Sequence, residues 1–256
     1  MKIDIQLREI FHFCFLERLL KISDPKLYVL KGGVNLRFFF HSPRYSEDMD
    51  IDVLAGNVTT LKKNGYKILN NTAFKRSLRT YGIDDIKVND PAKAKQTETT
   101  QRFRVRLITP SGDQLPTKVE FSRRKERNVA VRTDLIDPEL ARKYHKIAFR
   151  CQHYPGDMAT VQKIKALAGR SIIQARDVFD LGILHAGGFT NPIHISSQLS
   201  RQVLKEARIN ITTLSYEDFQ GQVLEFLDDE EHEYYDSTKH WEELQNTVLG
   251  LCSDDA

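Results

Sequence analysis

The chain has 256 residues, of which 40% are hydrophobic and 29% charged, with a net charge of +3 at pH 7. This length can bury a substantial core, and no apolar run approaches membrane-spanning length, which excludes an integral membrane protein. Three widely spaced cysteines exclude a disulfide scaffold and a Cys-x-x-Cys metal site. The mixed charges of the first residues do not resemble a signal peptide, so we expect a protein of the reducing cytoplasm.

The first predicted elements lead to a pair of glycines. An amphipathic helix over residues 3–22 ends before Pro25, and the short apolar run 27–30 predicts a buried strand. Gly32 and Gly33 follow, and a helix is predicted over 34–40. Glycine lets the backbone approach a phosphate closely, and the free N–H groups at a helix start attract phosphate. A Gly-Gly pair between a strand and a helix is also ordinary turn chemistry.

Residues 48–53 alternate strictly between acidic and apolar side chains, which predicts a strand over 48–54 with Asp48, Asp50 and Asp52 on one face. Same-face neighbours lie about 7 Å apart along a strand, so their side chains can converge on one or two divalent cations. Oxygen ligands favour Mg²⁺ or Mn²⁺. The alternative is a solvated sheet face, but aspartate is a poor strand former unless something binds it.

A hairpin is predicted over 101–123, after a helix near 57–64 and a stretch, 70–100, without a clear assignment. Glu120 lies on the polar side of the hairpin. It is a candidate for a third carboxylate, which could hold a metal next to an attacking hydroxyl. Symmetrical folding about the turn would place Arg104 roughly opposite Glu120, so a plain cross-strand ion pair is the alternative.

From about residue 157 the sequence is almost entirely helical, with a first helix over 157–170 that has Asp157 as its N-cap. In the next helix, over 174–186, Arg176 and Asp180 are four residues apart and could form a surface ion pair. Three more helices are predicted near 194–208, 216–228 and 237–250. The order of elements predicts an α+β protein: a mixed β-sheet with flanking helices over 1–150, then a helical bundle over 151–256.

Charge is distributed unevenly. The middle of the chain is basic, and the cluster Arg123, Arg124, Lys125 and Arg127 could bind a nucleic-acid backbone or form a solvated loop. From Glu217 onward the sequence is acidic, a composition that most simply favours solubility.

Two stretches resemble a known family. The order Gly32-Gly33, Leu36-Arg37, then Ser46-x-Asp48-x-Asp50 is similar to DNA-polymerase-β-like nucleotidyltransferases, specifically the AbiEii/AbiGii toxin branch. Residues 162–170 (QKIKALAGR) and 175–181 (ARDVFDL) resemble the third and fourth motifs of that branch, with Lys163 and Asp177 at the functional positions.

The resemblance implies a role for each matched residue. Asp48 and Asp50 are expected to bind the metal, with Glu120 as the candidate third ligand. The helical domain is expected to contribute Lys163, which contacts the nucleotide phosphates, and Asp177, which completes the site; Asp180 is an alternative for the last role. The remaining candidates for nucleotide binding are Gly32, Gly33, Arg37 and Ser46.

The predicted function is Mg²⁺- or Mn²⁺-dependent transfer of a nucleoside monophosphate from a nucleoside triphosphate to an acceptor hydroxyl. The resemblance implies the toxin of a type IV toxin–antitoxin or abortive-infection pair, with RNA, such as a tRNA 3′ end, as acceptor and a cognate antitoxin as possible partner. Two alternatives are a protein-adenylylating enzyme and a catalytically decayed module that binds nucleic acid or protein.

Overall fold

The structure, a computed structural model, describes residues 3–89, 97–123 and 130–253. The chain divides into two compact units. The sheet unit comprises the described parts of Lys2–Phe39 and Tyr45–Tyr154, and the helical unit comprises Phe40–Arg44 and the described part of Pro155–Ala256.

The sheet unit contains a mixed β-sheet, which has seven strands in the described ranges. The strands are β1 (Tyr28–Lys31), β2 (Met49–Val53), β3 (Asp85–Val88), β4 (Thr100–Ile108), β5 (Gln114–Arg123), β6 (Arg132–Leu135) and β7 (Arg150–His153). Their order in the sheet is β3-β4-β5-β2-β1-β7-β6. The pairs β1–β7 and β2–β5 are parallel, and the other neighbours are antiparallel.

Five α-helices of the described residues belong to this unit. They are α1 (Ile3–Ile22), α2 (Gly32–Phe39), α3 (Val58–Leu69), α4 (Thr72–Arg79) and α5 (Pro138–Lys143). The predicted helix over 3–22 is present, but it is not amphipathic along its length, because residues 9–16 are all buried. Aromatic contacts explain this burial: Phe13 packs on Phe38 and Phe149, and Phe11 packs on Phe74.

The sheet has one apolar and one polar face, as the period-2 alternation predicts. Met49, Ile51 and Phe103 are fully buried on the apolar face. The helix α3 packs on that face, since a Cβ on its Gly65 would lie 2.4 Å from the Phe103 ring. The polar face carries Asp50 and Glu120, and it is this face that positions the candidate site.

The hairpin β4–β5 is present, but its register differs by two residues from the predicted one. Arg102, not Arg104, lies opposite Glu120, and Arg104 lies opposite Lys118. The cause is the loop 109–113, which is closed by the Thr109 N–H donating to the Asp113 carbonyl at 3.1 Å. The centre of the loop is therefore one residue earlier in the sequence than the prediction assumed. Because paired residues lie at equal distances from this centre, a shift of one residue changes the partner of each residue by two positions.

The helical unit contains seven α-helices among its described residues. They are α6 (Gly156–Gly169), α7 (Ala175–Ala186), α8 (Pro192–Gln198), α9 (Arg201–Thr212), α10 (Tyr216–Gln222), α11 (Asp229–Tyr235) and α12 (Thr238–Leu251). Their core includes Ile164, Phe179 and Trp241. The helix predicted near 194–208 is two helices, because the Ser200 hydroxyl caps a new helix by accepting the Val203 N–H.

The start of α6 also differs from the prediction. The N-cap residue is Pro155, and Asp157 lies within the first turn, where its carboxylate accepts the Met158 N–H at 2.8 Å. An acidic residue there still favours the helix, since it faces the positive end of the helix dipole. The α+β fold class, with a mixed sheet followed by helices, is confirmed.

Candidate active site

Four charged side chains form a row across the polar face of the sheet. Asp50 on β2 lies opposite Glu120 on the parallel neighbour β5, and opposite Lys31 on β1. Glu120 lies in turn opposite Arg102 on β4. Because neighbouring strands are about 4.8 Å apart, the two acids lie side by side between two cations. The structure thus brings together Asp50 and Glu120, two of the site residues predicted from the sequence.

Asp50 is the acid of this row without a protein partner. Within the residues that the structure describes, its carboxylate makes no hydrogen bond and no ion pair. Partial burial raises the pKa of Asp50; the cations Lys31 and Lys118 lower it, while the acids Glu120 and Asp48 raise it further. The resulting pKa lies above the usual range, so the ionised carboxylate would be stabilised by a cation from solution.

Gly32 brings the start of α2 against Asp50. It has a φ of +68°, a conformation that favours glycine, and a Cβ there would lie 3.2 Å from Oδ2 of Asp50. The predicted helix begins two residues earlier than expected, at Gly32 rather than Val34, so Gly33 also lies in its first turn. The N–H groups of a first turn have no acceptor within the helix. The two glycines therefore place backbone donors that lack an acceptor within the helix next to the carboxylate.

Asp48 lies one residue before β2 and is paired with Lys118. Its Oδ1 accepts the Lys118 backbone N–H at 3.0 Å, and its Oδ2 accepts the Lys118 ammonium at 2.7 Å. Ser46 supports this turn, because its hydroxyl donates to the Asp48 carbonyl at 2.8 Å. Ser46 thus shapes the backbone that presents Asp48.

Glu120 is paired with Arg102, whose Nε donates to Oε2 of Glu120 at 2.6 Å. The cross-strand ion pair considered from the sequence is therefore present, with Arg102 in place of Arg104. Both side chains of this pair are about one-fifth exposed.

Asp52 differs from the other two acids of β2 because the protein neutralises its charge. It is fully buried, with Lys31 Nζ at 2.6 Å from Oδ1 and the Tyr154 hydroxyl donating to Oδ2 at 2.6 Å. The three aspartates therefore do not form one equivalent set. Asp52 ties β2 to the neighbouring β1, whereas Asp50 makes no comparable contact within the described residues.

The carboxylates fit a divalent cation in their chemistry, but they do not form a closed ligand set. Among the described residues, no three Asp, Glu, His or Cys side chains are close enough together to hold a metal ion. The reason is that Asp48 and Glu120 face Lys118 and Arg102. The oxygen donors are those that Mg²⁺ and Mn²⁺ prefer, and Asp50 is unpaired. A cation would therefore have to replace the two ion pairs.

Arg37, a predicted nucleotide ligand, is held by a buried acid. Its Nε donates to Glu9 at 2.5 Å, and its guanidinium lies 4.2 Å from the centre of the Tyr45 ring. Burial alone would lower the pKa of Arg37, but Glu9 outweighs that effect and raises it. A direct contact between Arg37 and a nucleotide stays a prediction.

A second group of charges lies within the helical unit. Lys163 on α6 donates to Asp177 at 2.8 Å and also to Asp180, both on α7. Arg44 donates to both oxygens of Asp180 at 3.0–3.2 Å, and Arg170 lies 3.2 Å from Asp177. Both aspartates are fully buried. We call these five residues the buried ion cluster.

The buried ion cluster brings the predicted Lys163 and Asp177 together, and it shows that Asp180 is not part of a surface ion pair. Burial would raise the pKa of Asp180, but Arg44 and Lys163 outweigh this effect and lower it. Every acid in the cluster has a basic partner. The geometry therefore gives Lys163 a structural task, and its contact with phosphate stays a prediction.

The sequence reasoning missed Lys118 and Arg44. A signal for Lys118 exists, since it alternates with Glu120 along β5 and must share its face. No local signal exists for Arg44, which is 136 positions from Asp180 in the sequence.

The remaining predictions concern segments away from these sites. Residues 124–127 of the basic cluster lie outside the described residues, while Arg123 donates to the Gly56 carbonyl at 2.6 Å. Cys14, Cys151 and Cys252 are free and buried. None of the helices in the described ranges has the length and apolar character needed to cross a membrane.

Comparison with solved structures identifies similar folds. MenT4, a nucleotidyltransferase toxin from Mycobacterium tuberculosis, aligns with a TM-score of 0.64 over 98% of this chain and 84% of its own, at 17% identity. JHP933 from Helicobacter pylori aligns with a TM-score of 0.51 over 96% of this chain and 92% of its own, at 16% identity. At these identities the likeness shows the fold. No curated protein sequence matches the chain.

A family model described as the nucleotidyl transferase AbiEii toxin of type IV toxin–antitoxin systems matches residues 14–253. This match spans both units and both of the motif stretches noted in the sequence. The chain therefore belongs to the AbiEii family of nucleotidyltransferase toxins.

Proposed function

We propose that this nucleotidyltransferase toxin transfers a nucleoside monophosphate from a nucleoside triphosphate to an RNA hydroxyl, such as a tRNA 3′ end, with the help of Mg²⁺ or Mn²⁺. The observation that carries the proposal is the Asp50 carboxylate, which lies beside Gly32 and opposite Glu120 and forms no ion pair or hydrogen bond within the described residues. An acid of this kind, with a raised pKa, is costly for folding alone. The arrangement favours a role in binding.

Asp48, Asp50 and Glu120 are the residues that would hold the cation. When bound, a divalent cation supplies a lower pKa for the attacking hydroxyl and neutralises charge on the phosphate oxygens. Asp50 needs no rearrangement to accept it. Asp48 and Glu120 would exchange their partners Lys118 and Arg102, whose side chains are partly exposed to solvent, for the cation.

The two released cations have a use in the same reaction. Lys118 and Arg102 lie on the polar face next to the acids, so their charges could pair with triphosphate oxygens while the cation occupies the carboxylates. An Arg guanidinium binds phosphate oxygens in a bidentate manner, and a Lys ammonium acts as a compact charge. In this proposal the two ion pairs keep the empty site electrically neutral. They separate when the substrate binds.

Gly32 and Gly33 are proposed to face the phosphates. The first turn of α2 offers unpaired backbone N–H groups, and a side chain at Gly32 would obstruct the approach to Asp50. The roles of Lys163 on phosphate and of Asp177 at the site rest on the family resemblance, and they are proposals of the same standing. A cognate antitoxin and action in the cytoplasm are likewise proposed from the family.

Transfer of labelled nucleotide tests the proposal. The protein is incubated with each of the four triphosphates labelled at the α-phosphate, with Mg²⁺ and total RNA, and RNA and protein are then separated. Label on RNA that requires Mg²⁺ is the expected result. Label on protein would instead support an adenylylating enzyme. Retention of RNA without any label would support the non-catalytic module, and either of these results would overturn the proposal.

A further inference from the structure

Four cations form a second group on the polar face, towards the β3 edge of the sheet. Lys87 on β3 lies opposite Arg106 on β4, and Arg104 on β4 lies opposite Lys118 on β5. Since the residues of β4 alternate, Arg104 and Arg106 point to the same side, about 7 Å apart along the strand. We call Lys87, Arg104, Arg106 and Lys118 the cationic strip.

Most of this charge is available to a ligand. Lys87, Arg104 and Arg106 are exposed. Within the described part of the chain, the side chains of Lys87 and Arg104 make no hydrogen bond or ion pair, and Arg106 makes one long hydrogen bond, of 3.4 Å, to Gln114. The strip therefore presents three cations that no acid of the described chain neutralises.

The strip lines a cleft that ends at the candidate active site. The cleft has a volume of about 560 Å³ and is lined by all four cations together with Glu47 and Asp48. At its inner end Lys118 is 2.7 Å from Asp48. An extended ligand that lies along the cleft would thus reach the carboxylates of the candidate active site.

We propose that the cationic strip binds the sugar-phosphate backbone of a single-stranded RNA end and guides its terminal hydroxyl towards Asp48 and Asp50. This inference rests on the proposed function, for which it identifies the acceptor surface. Arg104 and Arg106, about 7 Å apart along β4, present their charges in series along the cleft, so an extended chain of phosphates could contact them one after the other. Lysine and arginine bind such phosphates without regard to the base.

The lining of the cleft favours backbone contacts over base recognition. Among the described residues that line it there is no aromatic side chain on which a base could stack. We therefore expect weak dependence on RNA sequence and strong dependence on salt. The other explanation for exposed cations here is protection of the edge strand β3 against unwanted pairing, which predicts no effect on RNA.

A charge-removal variant with a matched control tests the strip. The test variant is K87Q/R104Q/R106Q, which leaves the proposed catalytic residues unchanged. The control, K63Q/K67Q/R76Q, removes three exposed cations from the helices α3 and α4 of the same unit. Both variants change the net charge equally. K87R/R104K/R106K keeps the charge and verifies that substitution at these positions is tolerated.

Binding is measured by fluorescence anisotropy on a short 5′-labelled single-stranded RNA with a free 3′ hydroxyl, over a series of salt concentrations and without nucleotide. The test variant is expected to bind at least roughly tenfold more weakly, and its slope of log affinity against log salt should be smaller by about 2. The control and the charge-keeping variant should bind as the wild type does. Equal binding by test and control variants would overturn the proposal.

Nucleotide transfer on the same preparations separates this inference from the proposed function. If the wild type labels RNA and K87Q/R104Q/R106Q binds and labels it equally well, the strip proposal fails and the proposed function stands. If RNA binding depends on the strip but no triphosphate yields labelled RNA, the proposed function fails and the strip stands. A loss of triphosphate binding without loss of RNA binding would assign the strip to the nucleotide and overturn its role for the acceptor.

Discussion

The two charged regions of this protein treat their acids in opposite ways. In the helical unit, Asp177 and Asp180 are fully buried, and each has at least two basic partners. On the sheet, Asp50 is partly buried and has no partner within the described chain, although it lies next to Glu120. One region is electrostatically complete, and the other is not.

This difference separates a structural arrangement from a binding arrangement. A buried ion pair that satisfies all its members stabilises only the folded geometry, and breaking it is costly. An acid with a raised pKa and no partner reduces stability, so its gain must come from a ligand. The comparison therefore predicts that mutations in the two regions affect different measurements.

The largest expected effect is the loss of transfer in Asp50→Asn. We expect a decrease in rate on the order of a thousandfold or more, because the stabilisation that a metal supplies amounts to several kcal/mol. The melting temperature should stay equal or rise, since the uncharged amide removes the crowding with Glu120 and Asp48. Labelled-nucleotide transfer and thermal unfolding measure the two effects.

The exposed carboxylate of Asp84 provides the matched control. Asp84→Asn should keep both rate and stability. If Asp50→Asn retained full activity, or if it lost activity only because it unfolded, the distinction between the two regions would be wrong.

The opposite pattern is expected for Asp180→Ala. Removing this carboxylate leaves the buried charges of Arg44 and Lys163 without their common partner, which should lower the free energy of unfolding by about 3 kcal/mol or more. Urea denaturation measures the change. In a double-mutant cycle with Arg44→Ala, the second substitution should cost much less than the first, and strict additivity would show that the pair is not coupled.

A smaller effect on stability is expected for Thr117, whose hydroxyl supports the backbone next to Asp48. The Thr117 hydroxyl donates to the Glu47 carbonyl at 2.7 Å and is 2.8 Å from Nε2 of His12. Burial lowers the pKa of His12 to about 4, so the ring is neutral at pH 7 and donates from Nε2. Thr117→Val removes the hydrogen bonds to the Glu47 carbonyl and to the buried His12 ring, and it should lower the free energy of unfolding by about 1–2 kcal/mol.

Thr133→Val, at an exposed position on β6, is the control for Thr117→Val and should leave unfolding unchanged. The Thr117 variant should also transfer nucleotide more slowly, because Glu47 precedes Asp48. If the Thr117 variant lost stability but kept the wild-type rate of transfer, Thr117 would have no role in positioning Asp48.

The smallest expected effect is a dependence of stability on pH. Asp50 has a raised pKa in the folded protein, so it binds more protons folded than unfolded just above its ordinary pKa of 3.8. The contribution of Asp50 to the free energy of unfolding therefore decreases as the pH rises through that range, and it stays reduced at higher pH. The stability of Asp50→Asn relative to the wild type should rise over the same range in metal-free denaturation, and a flat difference would contradict the raised pKa.

Local patterns in the sequence predicted much of the fold and of the sheet site. Strict alternation identified β2 and the face shared by Asp48 and Asp50, and the short apolar run before Gly32 identified β1. The motif resemblance predicted that Lys163 and Asp177 act together, and the structure places them in contact.

Features that depend on distant contacts or on turn geometry were not predictable in this way. The pairing of Arg44 with Asp180 joins two distant segments, and the burial of residues 9–16 of α1 on all sides depends on aromatic residues from other elements. The predicted register of the hairpin was wrong, because the backbone hydrogen bond between Thr109 and Asp113 sets the centre of the loop. Alternation defines which face a residue occupies, but it does not define its partner across the strands.

Direct measurement of divalent-cation binding tests the central claim that Asp50 is kept free for a metal. Mn²⁺ binding can be followed by electron paramagnetic resonance on the wild type, Asp50→Asn and Asp84→Asn, each with and without a nucleoside triphosphate. We predict that the wild type and Asp84→Asn bind Mn²⁺, and that Asp50→Asn loses this binding while it stays folded. Equal Mn²⁺ affinity in all three proteins would contradict the account.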